Sequence, residues 1–434
     1  MKLTINGGKK IRTTKFPAYN TIGAEEEKAV VEVLRTGVLS KFIGGWTKDF
    51  FGGPKVQEFE SAWKSFFKVK HAITVNSNSS GILCSIAALG IGPGDEVIVS
   101  PYTMSVSASA VLIYGAIPVF ADIDPKTFCL DVASVEKVIT KNTKAIIAVD
   151  IFGHPYDSIR INALAKKHGI KVIEDCAQAP MASRDGIYAG ALGDLGVFSL
   201  NYHKHIHTGE GGVIVTNDDD LAERCRLIRN HAEAVVDSMN YKGNARNLIG
   251  FNFRMTEIEA AIGSCQLKKL PELVKVRQQN VSYLEGKLKQ VQFLKMPLVE
   301  AGCTHAYYDH PILFDQNLAG VPRDRFVDAV KAELEVTIGR EEEGVLMDCG
   351  YVKPLYRQSL YQNLNGIGER NFPFDPSFKF NIPDYKSMHL PVVEKMHAQT
   401  LITHELMRPG MSQQDLDDVA NAFIKVAENK GELK

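Results

Sequence analysis

Between residues 70 and 216 the chain sets seven short apolar runs between polar stretches: "HAITV", "DEVIVS", "IPVFADI", "AIIAVDI", "IKVIED", "GVFSL" and "GVIVT". They are rich in Val and Ile and barely alternate in polarity. That is the pattern of strands buried on both faces. Between several of them lie stretches with helical periodicity, such as "SVEKVITKNT" and "SIRINALAKKHG". The second closes on Gly169, a suitable residue for the left-handed turn that ends a helix. Strand and helix in alternation predict a largely parallel α/β sheet.

The flanking segments have other textures. "AEEEKAVVEVLRTG" predicts a helix with an acidic first turn and a closing Gly37. After the strand region, "MTEIEAAIGSCQLKKLPELVKVRQQNVSYLEGKLKQV" predicts one or two long helices, with a break or kink at Pro271. Past about residue 285 come short strands, prolines and loops, and then a capped helix in "SQQDLDDVANAFIKVAEN". The expected organisation is a large α/β domain over residues 1–285 and a smaller α+β domain over residues 286–434, with the N-terminal segment free to pack on the small domain.

The chain has 434 residues, with 50 basic against 51 acidic side chains. That balance offers no electrostatic reason to bind nucleic acid or an anionic membrane surface. The first twenty residues lack the apolar core of a secretory signal, and no apolar run is long enough to span a bilayer. Seven cysteines are scattered singly, which argues against a disulfide framework or a structural zinc site and predicts a reducing cytoplasm.

Chemistry concentrates at "NYHKHIHTGEGG", residues 201–212. Three readings compete there. His203, His205 and His207 recur every second residue, so on a strand they would share one face and could hold a metal. Lys204, on the alternate face, could be a covalent catalyst. Or the segment is a polar strand entering a glycine-rich turn. No phosphate-binding P-loop is present, and "GALGDLG" lacks the spacing of a dinucleotide fingerprint. In "KVIEDCAQAP" an apolar strand ends at Glu174 and Asp175, where parallel sheets bind ligands. An acid at that position is also a plain cap for the next helix. Lys204 follows Asp175 by 29 residues. A lysine that forms a covalent link and an acid that pairs a pyridinium nitrogen are the two groups pyridoxal phosphate (PLP) chemistry most needs.

Taken together, "TIGAEEEKAVVEVLRTGVLS", "VNSNSSGI", "GIGPGDEVIVSPYT", "GAIPVFADID", "VIEDCAQAPMA", "GDLGVFSLNYHKHIHTGEGGVIVTND" and "GFNFRMTEIEAAIGSCQL" resemble, in order and spacing, the DegT-type sugar aminotransferases. These belong to the fold type I PLP enzymes. The resemblance implies a seven-stranded, mainly parallel sheet and PLP as cofactor. It implies that Lys204 links to the cofactor, Asp175 faces the ring nitrogen, Gln178 contacts the phenolic oxygen and Ser199 binds phosphate. Asn252 would reach the phosphate of the neighbouring subunit, so a homodimer with shared active sites is implied.

Two positions depart from the family pattern. Its phosphate loop usually reads Ser-Gly-Thr, and here it reads Ser77-Asn78-Ser79. Ser79 can supply the hydroxyl, the following helix supplies N–H groups, and Asn78 tolerates the left-handed backbone that glycine usually takes. The ring-stacking position aligns with Met104, whose thioether can pack on a π-face, with Tyr102 close by as a substitute. The function implied is transfer of an amino group from glutamate or glutamine to a keto sugar, nucleotide-linked, or to a keto cyclitol. Burial and nearby cations would have to lower the Lys204 pKa for it to act as a base at neutral pH. Related sugar dehydratases carry histidine in place of the lysine, and a one-residue slip would put His203 or His205 there. A non-catalytic binding protein on the same fold is the third reading. "THAYYDH", "YVKPLYRQSLYQ" and "MHLPVVEKMHAQTLITHELMRPG" are the expected acceptor-binding segments.

Overall fold

A computed structural model describes residues 2–433. All seven apolar runs become strands of one sheet: β1 (His71–Val75), β2 (Glu96–Val99), β3 (Ile117–Phe120), β4 (Thr143–Val149), β5 (Lys171–Asp175), β6 (Leu195–Ser199) and β7 (Gly212–Thr216). Their spatial order is β1-β7-β6-β5-β4-β2-β3. β7 runs antiparallel to both neighbours, and the other pairings are parallel. Every residue of β2, β3 and β7 is buried, as the unbroken apolar runs require.

Helices flank the sheet: α1 (Ala24–Thr36), α2 (Pro54–Phe67), α3 (Asn78–Ala88), α4 (Val106–Ile113), α5 (Val132–Val138), α6 (Ser158–His168) and α7 (Asp219–Arg229). The predicted helix ends hold. Gly37 and Gly169 take φ of 70° and 66° just past α1 and α6. Gly212 is glycine for a different reason. A Cβ there would lie 2.7–2.8 Å from the backbone of Ser77 and Asn78. The start of β7 therefore seats the start of α3, and that close approach fixes one wall of the site.

Of the one or two helices expected around Pro271, one forms. A single helix α8 runs from Glu257 to Leu288 with Pro271 inside it. Tertiary packing holds it together: Leu267, Leu270 and Val274 on either side of the proline are buried in one apolar cluster with α2 and β7. A second sheet follows, with β8 (Leu294–Lys295), β9 (His310–Phe314), β10 (Met347–Cys349) and β11 (Leu401–His404) in the order β8-β9-β11-β10. α9 (Arg323–Ala332) and α10 (Gln413–Glu428) cover it. Leu3 and Phe16 are buried in the same cluster. Between β10 and β11 the chain runs back over the first sheet. There Leu355, Tyr356, Tyr361 and Tyr385 join its core, and the Tyr385 hydroxyl donates to Pro118 O at 2.6 Å.

Candidate active site

The carboxyl ends of β1, β2, β4, β5 and β6 surround a cavity of about 380 Å³, which is the ligand-binding edge of such a sheet. Its lining includes Asn78, Ser79, Met104, Asp175, Gln178, Ser199 and Lys204. Seven of the eight sequence-predicted positions thus converge. Asn252 does not. It is exposed and paired through its backbone with Asn230, outside the cavity lining.

Asp175 is held on both oxygens. Oδ2 accepts from Ser107 Oγ at 2.9 Å, and Oδ1 accepts from Asn78 Nδ2 at 3.3 Å and Ala177 N at 3.2 Å. Burial raises its pKa, and these hydrogen bonds pull the other way. The helix-cap alternative is not what the fold uses, because the amide at Ala177 belongs to a tight turn and no helix follows β5. Glu174 points to the opposite face, where its Oε2 accepts from Leu192 N and Gly193 N. The period-two geometry of the strand separates the two acids.

The strand reading of residues 201–207 is overturned. The segment is a loop between β6 and β7 with turn and bend geometry, closed by Thr208 N donating to Leu200 O at 3.0 Å. Without strand geometry the three histidines diverge. His203 lines the cavity, with its ring 3.6 Å from that of Tyr202. His205 is fully buried, and its Nε2 donates to Ala306 O at 2.9 Å. Tyr19 donates to the His205 carbonyl at 2.5 Å. His207 Nδ1 accepts from Gly209 N at 3.3 Å. Burial keeps His205 well below the usual histidine range, so it is a neutral clasp beside Lys204.

Lys204 faces the cavity, its Nζ 4.2 Å from the Tyr308 ring centroid. Among the described residues its amine makes no hydrogen bond or ion pair. Burial lowers its pKa to about 8, against the attraction of Asp175 and Asp309. This is the direction a base at neutral pH needs.

The phosphate-loop expectation needs one correction. Asn78 does not take a left-handed backbone. It is the first residue of α3, capped by Ser77 accepting from Ser80 N at 3.1 Å. Its side chain turns inward to Asp175 and to Val197 O at 3.1 Å. The Asn78 and Ser79 amides have no acceptor among the described residues, and Ser79 is exposed to the cavity. A helix start with free N–H groups suits an anion. Met104 lines the cavity, while Tyr102 is fully buried behind it, its hydroxyl accepting from Tyr351 N at 2.7 Å.

Residues that the sequence reading did not single out complete the walls. Tyr308 and Tyr351 lie within expected acceptor segments and line the cavity. Tyr351 OH accepts from Gln178 Nε2 at 2.8 Å, while Gln178 Oε1 accepts from Phe152 N at 2.6 Å. Ser107 carried no signal, because a serine inside an Ala- and Val-rich helix reads as filler.

The chain matches the DegT/DnrJ/EryC1/StrS aminotransferase family over residues 20–423. It belongs to that family. It is similar to the spore coat polysaccharide biosynthesis protein SpsC of Bacillus subtilis, 33% identical over 92% of this chain and 94% of that one. It is also similar to the L-glutamine:2-deoxy-scyllo-inosose aminotransferase of Streptomyces lividus, 31% identical over 99% of both. The aminotransferase from Psychrobacter cryohalolentis superposes with a TM-score of 0.78 at 28% identity, covering 95% of this chain and 99% of that one. The protein is therefore an aminotransferase with PLP as its cofactor. The site fits that group: a buried amine without an acceptor, a braced carboxylate across the cavity, and free helix amides with a hydroxyl beside them.

Proposed function

We propose that this chain transfers the amino group of glutamate or glutamine to the carbonyl carbon of a keto sugar or keto cyclitol. The balanced reaction converts amino acid and ketone into 2-oxo acid and amine. The observation that carries the reading is the unpartnered Lys204 amine facing a braced Asp175 in one cavity. When bound, PLP supplies an electron sink that stabilises a carbanion next to nitrogen.

The chain's own residues do the rest. Lys204 Nζ holds the cofactor covalently, then accepts and returns the proton moved at the substrate carbon. Its lowered pKa leaves a useful fraction of free amine near neutrality. Asp175 keeps the ring nitrogen protonated, and Ser107 and Asn78 hold its charge in place. The α3 amides, Ser79 and Ser199 would bind the phosphate, Gln178 would contact the phenolic oxygen, and Met104 would pack against the ring. His205 fixes the loop that carries Lys204. The dehydratase reading is disfavoured because Lys204 itself lines the cavity; of the two histidines that a slip would align with it, His205 points away to Ala306 O, while His203 lines the cavity beside the lysine.

The active form in this reading is a homodimer in the cytoplasm. Val38, Leu39, Ile43 and Trp46 expose 41–49% of their surfaces, and Ile249, three residues before Asn252, exposes 67%. A second copy covering this apolar patch would let Asn252 reach the partner's phosphate site. Seven unpaired cysteines support a reducing compartment. A division near residue 285 is likewise a proposal: the second sheet has its own apolar cluster, while Leu355, Tyr356, Tyr361 and Tyr385 from the later segment pack on the first core.

The test is to load the protein with PLP, add glutamate or glutamine, and measure both 2-oxo acid and the spectral change to the aminated cofactor. Release of one equivalent of 2-oxo acid, followed by amination of an added keto sugar or keto cyclitol, supports the reading. An unchanged spectrum with both donors overturns it.

A further inference from the structure

A second cavity, of about 310 Å³, adjoins the first and shares Tyr308 and Tyr351 with it. Its other lining includes Asp309, Asp348, Glu343 and Arg340. Arg340 is committed, because it pairs with both Glu343 and Glu405. Asp309 is not. It exposes only 5% of its surface, lines this cavity and has no hydrogen bond or ion pair among the described residues. The like-charged Asp348 lines the same cavity from β10, opposite Thr403 in register, and is exposed, on the face away from buried Met347. Arg408, Arg277 and Lys204 attract Asp309 electrostatically. Both arginines are buried and absent from the cavity's lining.

A buried carboxylate with no donor is costly unless a ligand supplies one. Carboxylates accept strongly from hydroxyls, and two of them lining one cavity suit the several hydroxyls of a polyhydroxylated ring. A phosphate offers only acceptors and negative charge, so it would meet Asp309 and Asp348 as a like charge. The cavity opens beside Lys204, where the acceptor's carbonyl has to arrive.

We propose that Asp309 and Asp348 are the specificity-determining groups for the acceptor, and that they select a neutral polyhydroxylated ketone by holding its ring hydroxyls. This rests on the aminotransferase reading and deepens it. Both the keto sugar and the keto cyclitol fit that reading, and the lining favours the ring without a phosphate.

The test uses the PLP-loaded full-length enzyme, first converted to its aminated form by glutamate or glutamine. It is then mixed with either a keto-inositol or a thymidine-diphosphate-linked keto hexose, and the return of the spectrum is followed. The expected kcat/KM is at least a hundredfold higher for the keto-inositol. Asp348→Asn is expected to shrink that ratio tenfold or more, chiefly by raising the KM of the neutral ketone. Asp309→Asn should shift it the same way. The donor half-reaction, which involves no ketone, reports whether each variant is folded. Equal or better use of the diphosphate-linked ketone, no reaction with either ketone, or an unchanged ratio in folded Asp348→Asn overturns the proposal. Failure of the donor half-reaction in the unmutated enzyme instead overturns the aminotransferase reading beneath it.

Discussion

The sheet wall of the catalytic cavity and the wall of the cavity beside it are built on opposite principles. On the sheet wall, Asp175 has partners on both oxygens, and one of them, Asn78, is itself tied to Val197 O. On that second wall, from the last third of the chain, Asp309 has no hydrogen-bond partner among the described residues. The first wall is finished without substrate, as suits a group that holds a resident cofactor through every turnover. The second is incomplete, as suits a surface that meets a different substrate in each half-reaction. Preorganisation on one side and unmet polar demand on the other separate cofactor from substrate territory.

Substitutions on the finished wall should therefore cost the most. Lys204→Ala is expected to lower turnover by at least about 10⁴-fold, because it removes both the covalent anchor and the acid–base group. Steady-state assay of the PLP-saturated variant checks this, and near-normal turnover would break the comparison. Asp175→Asn keeps the shape and removes the charge, so kcat should fall on the order of 10²- to 10³-fold with the fold intact. Gly212→Ala forces a Cβ against the Ser77–Asn78 backbone. Cofactor Kd should rise about tenfold or more, measured by titration, with a smaller effect on turnover at saturation.

The pH response sharpens the same contrast. The free Lys204 amine is held at about 8, so a step needing the neutral amine should rise through pH 8 and level off above it. Between pH 7 and 9 the neutral fraction grows about tenfold. A single-turnover rate that is flat across this range would contradict the assignment. The smallest expected effect is Ser107→Ala, which removes one of three donors to Asp175 and should slow turnover roughly two- to tenfold.

The sequence carried the sheet wall well and the other wall poorly, for physical reasons. β-strands buried on both faces announce themselves as apolar runs, and an acid at a strand end follows from sheet topology, so Asp175 was legible; Lys204 stood out as its chemical partner, and Ser199 came from the family resemblance alone. The loop holding Lys204 was not. Its alternating histidines imitate a strand, while its true shape depends on long-range bonds to Tyr19 and Ala306 that no local pattern encodes. Asn78 was placed in the right loop with the wrong backbone, because its inward side chain answers to Asp175, 97 residues on. At Pro271 a break and a continuous helix were both open to the sequence, and packing on both sides decides for the continuous helix. Asp309 and Tyr351 fell inside segments expected to bind acceptor, but only the fold brings them to one cavity.

The most direct measurement of the central claim is borohydride reduction of the PLP-loaded protein followed by peptide mass spectrometry. The account predicts one phosphopyridoxyl group per chain, on Lys204, in the peptide containing "NYHKHIHTGEGG". Labelling of a different lysine, or no stable label at full cofactor occupancy, would contradict it.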